Sequence, residues 1–303
     1  MNQNLQYGGQ AVIEGVMMRS PRYFAVACRH PNGEIVLKLE DLANSWLARL
    51  RWLNRPFLRG TLALLDAMAL GIRALRFSAD VQLEEQTQTV QQKRINDLAI
   101  GSTMVVGLLI GLGLFVALPT TLTQLLPWKN PILLNMLDGI LRIALFLGYV
   151  LAVGHLKEIR RVFQYHGAEH KAINTFEAGL PLTLENAQQQ SRIHPRCGTS
   201  FVMVVLILAI FVFSLTGRPP IWLRIPLHIA LLPVVAGIAY EVIKFAGRRK
   251  ESRFTRWLLA PGLWSQRMTT REPEEAQIEV ALRALQAVVE QEQRVDEESV
   301  AVA

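Results

Sequence analysis

Four long apolar stretches, Leu98 to Leu126, Ile132 to Gly154, Phe201 to Leu215 and Ile221 to Phe245, constrain this chain more than any other feature. A helix needs roughly 20 apolar residues to cross the hydrocarbon core of a bilayer. The first, second and fourth stretches reach that length, and the third does so when Gly198 to Phe201 and Thr216 are included. The expected fold is therefore mainly α: a polytopic α-helical membrane protein with about four transmembrane helices. A small N-terminal cytosolic α+β region containing a β-hairpin precedes them.

Charge sets the orientation. Lys and Arg number 12 in residues 1–98, six in 157–199 and ten in 244–303, against Lys129 and Arg218 alone in the two short connections. The positive-inside rule then puts both termini and the long middle loop in the cytoplasm of a multi-pass protein of the plasma (inner) membrane. Met1 to Pro21 has no continuous apolar run after a basic start, so no cleavable signal is expected and the first span serves as the insertion signal. Two distant cysteines, Cys28 and Cys197, read as free thiols in a reducing compartment. The net charge of +7 is accounted for by segments facing the membrane and cytosol, so the partner it implies is the lipid bilayer and not nucleic acid.

Residues 1–97 form the cytosolic N-terminal region, 98–246 the transmembrane domain with its loop 157–199, 247–292 a cytosolic loop and helix, and 293–303 a tail. Tyr23 to Cys28 and Glu34 to Leu39 flank the turn residues Pro31, Asn32 and Gly33, the one clear strand signal. Leu42 to Phe77 reads as an interfacial helix, its apolar part broken by Arg59, Asp66 and Arg73, with Trp46 and Trp52 at headgroup level. Glu274 to Gln291 carries Ile278, Leu282, Leu285, Val288 and Val289 at helical spacing, and the acidic tail beyond it is expected to be disordered. No internal repeat, Walker loop or dinucleotide-binding glycine pattern occurs.

The residues able to carry chemistry gather on the cytoplasmic side. If the second span continues as one helix, His155, Glu158, His166, Glu169 and His170 share a sector about 120° wide at 100° per residue, with the neighbouring cations elsewhere. His166-Gly-Ala-Glu169-His170 matches H-x-x-E-H, in which two histidines one turn apart share a zinc ion and the glutamate activates water. His194-Pro-Arg196-Cys197 stands before the third span and offers a nitrogen and a sulfur to complete a tetrahedral site. The bland readings are a solvated juxtamembrane helix, a phosphate contact for His194 and a buried small residue for Cys197.

Weaker candidates surround that core. Glu241 with Lys244 lies near the cytoplasmic end of the fourth span, and Asp138 with Arg142 forms an expected ion pair inside the second. In Gly8-Gly-Gln-Ala-Val-Ile-Glu14-Gly-Val-Met-Met-Arg19-Ser-Pro21, neither a clean strand nor a clean helix, Glu14 and Arg19 can reach into a site. Ala260 to Pro273 reads as a loop with a helix cap.

Taken in order, GGQAVIEGVMMRSP, YHGAEHKAINTFEAG, HPRCGTSF and GLWSQRMTTREP resemble the YqhQ-type bacterial membrane protein family over roughly residues 7 to 290. That family is catalogued as a domain of unknown function and described as predicted metal-dependent enzymes. The H-x-x-E-H metallopeptidases take their third ligand from a downstream glutamate, whereas here His194 or Cys197 stands in that role, with Glu177 and Glu241 as substitutes. The leading expectation is a membrane-embedded zinc-dependent hydrolase acting at the cytoplasmic face on a membrane protein segment or a lipid headgroup. His166, His170, His194 and Cys197 are the metal ligands and Glu169 the catalytic base, with Glu14, Arg19, His155, Arg196 and Glu241 contacting substrate or supporting the ligands. The rivals are a scaffold holding a structural metal and a cation or solute transport component, the latter requiring Asp138, Arg142 and Glu241 to line one polar path with the histidines.

Overall fold

The computed structural model describes residues 7–42, 58–83, 101–103, 105–248 and 253–301. It opens with a meander of four antiparallel strands, β1 (Gly8–Val12), β2 (Gly15–Arg19), β3 (Tyr23–Arg29) and β4 (Ile35–Asp41), paired in sequence order. The expected hairpin is β3 and β4, with Tyr23 opposite Asp41 and Arg29 opposite Ile35. The run from Gly8, ambiguous by pattern, supplies a second hairpin, in which Val12 pairs Gly15 across a two-residue turn and Glu14 takes φ 50.

Why β1 and β2 lack a clean alternation is visible in their burial. One face of the sheet, with Val16, Met18, Ala25 and Ala27, packs on two helices; the other, with Val12, Met17, Phe24 and Val26, packs on a third. A strand covered on both faces reads as a continuous apolar run. The third helix is α1 (Leu58–Gln82), which lays Leu70 and Ala74 under the sheet. Arg59, Asp66 and Arg73, which break its apolar pattern, are ion-paired to Glu241, Arg19 and Glu40. Trp46 and Trp52 lie outside the described residues.

Helices α2 (Gly101–Gln124, with a π-helical turn at Gly113–Ala117), α3 (Pro131–Val153), α6 (Gly198–Ser214) and α7 (Ile221–Arg248) form the apolar bundle. Three of them, not four, are long and apolar enough to cross a membrane. The third expected span, α6, has 17 residues, about 26 Å of helix against a hydrocarbon core of about 30 Å. It is pressed against α3, where a Cβ on Gly139 would meet Ile210 Cγ1 at 2.2 Å.

The second span does not run on as one helix. It stops at Gly154, Leu156 is extended (ψ 134), and α4 (Lys157–Glu177) starts afresh. His155 therefore falls in the break, and Glu158, in the first turn of α4, is exposed, so the buried part of the five-residue sector reduces to the stretch from His166 to His170. A short α5 (Leu184–Gln188) follows.

After α7 come α8 (Arg253–Thr269) and α9 (Glu275–Ala301). Ala260 to Thr269, expected as loop, is the second half of α8 and carries Pro261 within it. The apolar stripe of α9, including Ile278, Leu282 and Leu285, joins Tyr165, Ala168, Ala172 and Ile173 of α4 beneath the sheet. Helix α9 also continues to Ala301, through the segment expected to be disordered. Its acidic turns are held there by Arg22, which donates to Glu292 and Asp296 at 2.5 Å each.

Candidate metal centre

Two histidines on one turn of α4 are oriented by backbone carbonyls. His166 Nδ1 donates to Thr269 O (2.9 Å), at the end of α8, and His170 Nδ1 donates to Arg192 O (2.6 Å), in the loop before α6. A carbonyl only accepts, so each ring proton is fixed on Nδ1 and each Nε2 presents a lone pair. Burial lowers the pKa of His170, opposed by neighbouring Cys197, which keeps the ring in the neutral form a metal requires.

Both lone pairs converge on Cys197, the N-cap of α6 (φ −70, ψ 142). His166 Nε2 is 3.1 Å from Cys197 Sγ, and His170 Nε2 is buried without a hydrogen-bond partner among the described residues. Thr199 steadies the sulfur through its amide (3.4 Å) and hydroxyl (3.1 Å). The ligand atoms of His166, His170 and Cys197 lie within 4.8 Å of one another. Donors on one tetrahedral zinc stand about 3.5 Å apart, and nitrogen with sulfur is a donor set zinc accepts. The orphaned His170 Nε2 and the two pre-set tautomers fit such an ion.

Glu169 sits one residue before His170 and is buried beneath strand β1. Burial pushes its pKa up, and His166, His194 and the Gly9 amide that donates to it pull the other way. The approach is close enough that a Cβ on Gly9 would fall 2.9 Å from Glu169 Cγ. Glycine is required there by space, since the strand passes directly over the carboxylate.

The remaining sequence-derived candidates lie around this cluster or away from it. His194 is a neighbour, its ring centroid 5.8 Å from that of His170, but its Nε2 faces Glu177 Oε1 (3.3 Å) and its Nδ1 accepts from the Arg196 amide (3.3 Å). Arg196 is ion-paired to the same Glu177. Glu14 is bound by Arg161 (2.5 Å) and the Tyr165 hydroxyl (3.2 Å), contacts that hold its carboxyl below the usual range, the Arg161 hydrogen bond foremost. Arg19 pairs with Asp66 and Glu241 with Arg59, so both serve contacts between α1 and its neighbours. His155 bonds Leu151 O (2.7 Å) in the break, outside the helix that carries His166.

Sequence reasoning missed Gln266, which is fully buried on α8. Its Oε1 accepts from His194 N (2.9 Å), while its Nε2 donates to His194 O (2.8 Å) and Ser200 Oγ (2.7 Å). One side chain thus fixes both ends of the segment that carries Cys197. The signal was its place in the SQRMTT run, where a lone Gln among donors gave no sign of burial. Gly167 belongs to the same scaffold, because a Cβ there would meet Arg271 O at 2.2 Å.

Residues 55–291 match the family described as "Protein of unknown function (DUF1385)", a span that contains every residue of this cluster. The chain belongs to that family. It is also 38% identical, over 95% of each chain, to "Uncharacterized protein YqhQ" of Bacillus subtilis (strain 168). No solved structure matches. The resemblance seen in the four motifs is thus a family membership, and within the family fold those motifs meet: the first covers Glu169, the second supplies His166 and His170, the third Cys197, the fourth Gln266 and Thr269.

Proposed function

We propose that this protein is a zinc-dependent hydrolase embedded in the plasma membrane, with its centre at the cytoplasmic face. The observation that carries the reading is the convergence of His166 Nε2, His170 Nε2 and Cys197 Sγ, with both imidazoles pre-set by carbonyls. Three protein ligands are the number found in catalytic zinc sites, which keep one position for water or substrate, whereas structural sites use four. When bound, the metal would supply Lewis-acid polarisation of the scissile bond and of the attacking water.

The chain's own residues supply the rest. Glu169, buried next to His170 in the chain and with a raised pKa, would take a proton from water and return it to the leaving group. Strand β1 covers that carboxylate and excludes bulk water from it. The orientation follows from the arginine and lysine distribution, which puts α4 and the start of α6 on the cytoplasmic side. In this reading α6 crosses beside its longer neighbours although it is shorter than they are. Substrates that reach a centre at this depth are membrane protein segments or lipid headgroups.

Elemental mass spectrometry on detergent-purified protein tests the proposal. About one zinc per chain is expected, absent from a His166→Ala, His170→Ala variant and retained in Glu169→Gln. Folded protein, prepared without chelator, that carries no metal in any form would overturn it.

A further inference from the structure

The opposite half of the bundle holds charge that the metal centre does not use. From Leu98 to Gly154 and from Gly198 to Tyr240 the chain has one carboxylate, Asp138, against Lys129, Arg142, Arg218 and Arg224. Arg142 takes that carboxylate through Nε (2.8 Å), and its Nη2 donates to Thr120 Oγ1 (2.8 Å) and His228 Nδ1 (3.0 Å). Arg218 caps the carbonyls of Gln124, Leu126 and Trp128. Arg224, fully buried, has only neutral partners among the described residues, Gln124 Oε1 (3.1 Å) and Asn135 Oδ1 (2.7 Å). Asp138 acts on it only through space and is already paired with Arg142, and a buried cation that shares its counter-charge is costly in a low-dielectric interior.

Two donors beside it are unspent. Arg224 Nε and His228 Nε2 are both buried without a hydrogen-bond partner. Arginine can only donate, so His228 Nδ1 is the acceptor of the Arg142 bond and the ring proton sits on Nε2. Both orphans are therefore N–H groups, four residues apart on one face of α7. Phe213, stacked on His228 with centroids 4.1 Å apart, holds that ring in place.

We propose that Arg224 and His228 bind a monoanionic group in the outer half of the bundle. The group accepts from both orphan N–H donors and neutralises the charge that Asp138 leaves uncompensated. A free halide-sized anion provides this chemistry, and so does the headgroup of an acidic lipid. The second source has a place for its tail, since Arg142 borders a cavity of about 360 Å³ otherwise lined by apolar side chains and glycine, among them Phe115, Val205 and Leu206. The inference rests on the membrane placement proposed above and is independent of the metal centre.

Delipidated protein in a neutral detergent tests it with two probes. Bromide is titrated against thermal unfolding, with sodium gluconate holding ionic strength constant. Native mass spectrometry then compares retention of dioleoylphosphatidylglycerol with that of the zwitterionic phosphatidylcholine of the same chains. A saturable rise in Tm with bromide identifies a free anion; one tightly held phosphatidylglycerol without a bromide response identifies the headgroup. Either response is expected to weaken roughly tenfold in Arg224→Gln and in His228→Phe, which keeps the stack on Phe213. No saturable response to either probe, or responses equal in wild type and both variants, would overturn the proposal. Zinc content measured on the same samples reads the metal centre separately.

Discussion

His166 Nε2 and Cys197 Sγ stand 3.1 Å apart across 31 residues of chain, joined by no element they share. That proximity makes the two cysteines respond differently to alkylation. Cys28 is fully buried in the sheet, where burial, and secondarily Glu14, pushes its pKa up to about 12. Cys197 is only partly buried. Iodoacetamide followed by peptide mass spectrometry is expected to modify Cys197 alone in chelator-treated native protein, with zinc protecting it, while Cys28 reacts only on unfolding. Equal labelling of both in the native state would contradict the geometry.

Gln266→Leu tests the clamp on the cysteine segment. The substitution keeps volume but leaves His194 N and O, both buried, without their partner. Unpaired buried backbone groups cost about 1–3 kcal/mol each, so a loss of roughly 2–4 kcal/mol is expected in denaturant unfolding. Zinc affinity, measured by competition with a chromophoric chelator, should fall about 10- to 100-fold, as for losses of groups that support ligands. Glutamate at the same position accepts from His194 N but cannot donate, and should recover only part of the affinity.

Much of this was legible in the chain. The apolar runs, the β3–β4 pair, the stripe of α9 and the convergence of H-x-x-E-H with Cys197 follow from periodicity and donor chemistry. What escaped was set by tertiary contact. The β1–β2 hairpin hides its period because helices cover both faces of the sheet. The break at Gly154 hides because the Leu-Gly-Tyr-Val-Leu-Ala-Val-Gly-His sequence satisfies helical spacing throughout, although Phe163 packs 3.2 Å from where a Gly154 Cβ would stand. Gln266 and the partners of Glu14 and Glu241 are pairings between distant segments, which no local pattern encodes.

The Glu14–Arg161 pair carries a pH dependence of definite sign. Arg161 holds the Glu14 carboxyl below the ordinary range in the folded protein. A depressed folded-state pKa contributes stability above the unfolded glutamate pKa, and that contribution is lost as pH falls through the folded value. Glu14→Gln should therefore lower Tm at neutral pH and converge with wild type in acid, below the normal glutamate range. A Tm difference that persists unchanged into acid would show that the carboxylate charge is not its source.

The C-terminal turns of α9 are expected to bear load. Glu292, whose side chain is 1% exposed, accepts from the Arg22 amide (3.0 Å) and from Arg22 Nε (2.5 Å). Because Arg22 is itself 37% exposed, solvent screens the pair and the full cost of breaking a buried ion pair does not apply. Glu292→Ala is expected to cost about 1–3 kcal/mol, chiefly from the part-buried Arg22 amide left unpaired. Amide exchange over residues 290–296 should accelerate with it, and fast exchange there already in wild type would exclude the contact.

Membrane orientation can be read without reference to chemistry. Lys129 and Lys157 flank α3, and the proposed orientation has the first outside and the second in the cytoplasm. In a background with Cys197→Ser and Cys28→Ala, a Lys129→Cys variant should react with a membrane-impermeant maleimide in intact cells, and a Lys157→Cys variant only after permeabilisation. Because α4 starts at Lys157 and leads directly to His166, the same labelling assigns the metal centre to a face. The reverse pattern would move that centre outside, into an oxidising compartment, and Cys197 would then face a choice between metal and disulfide that the cytoplasm spares it.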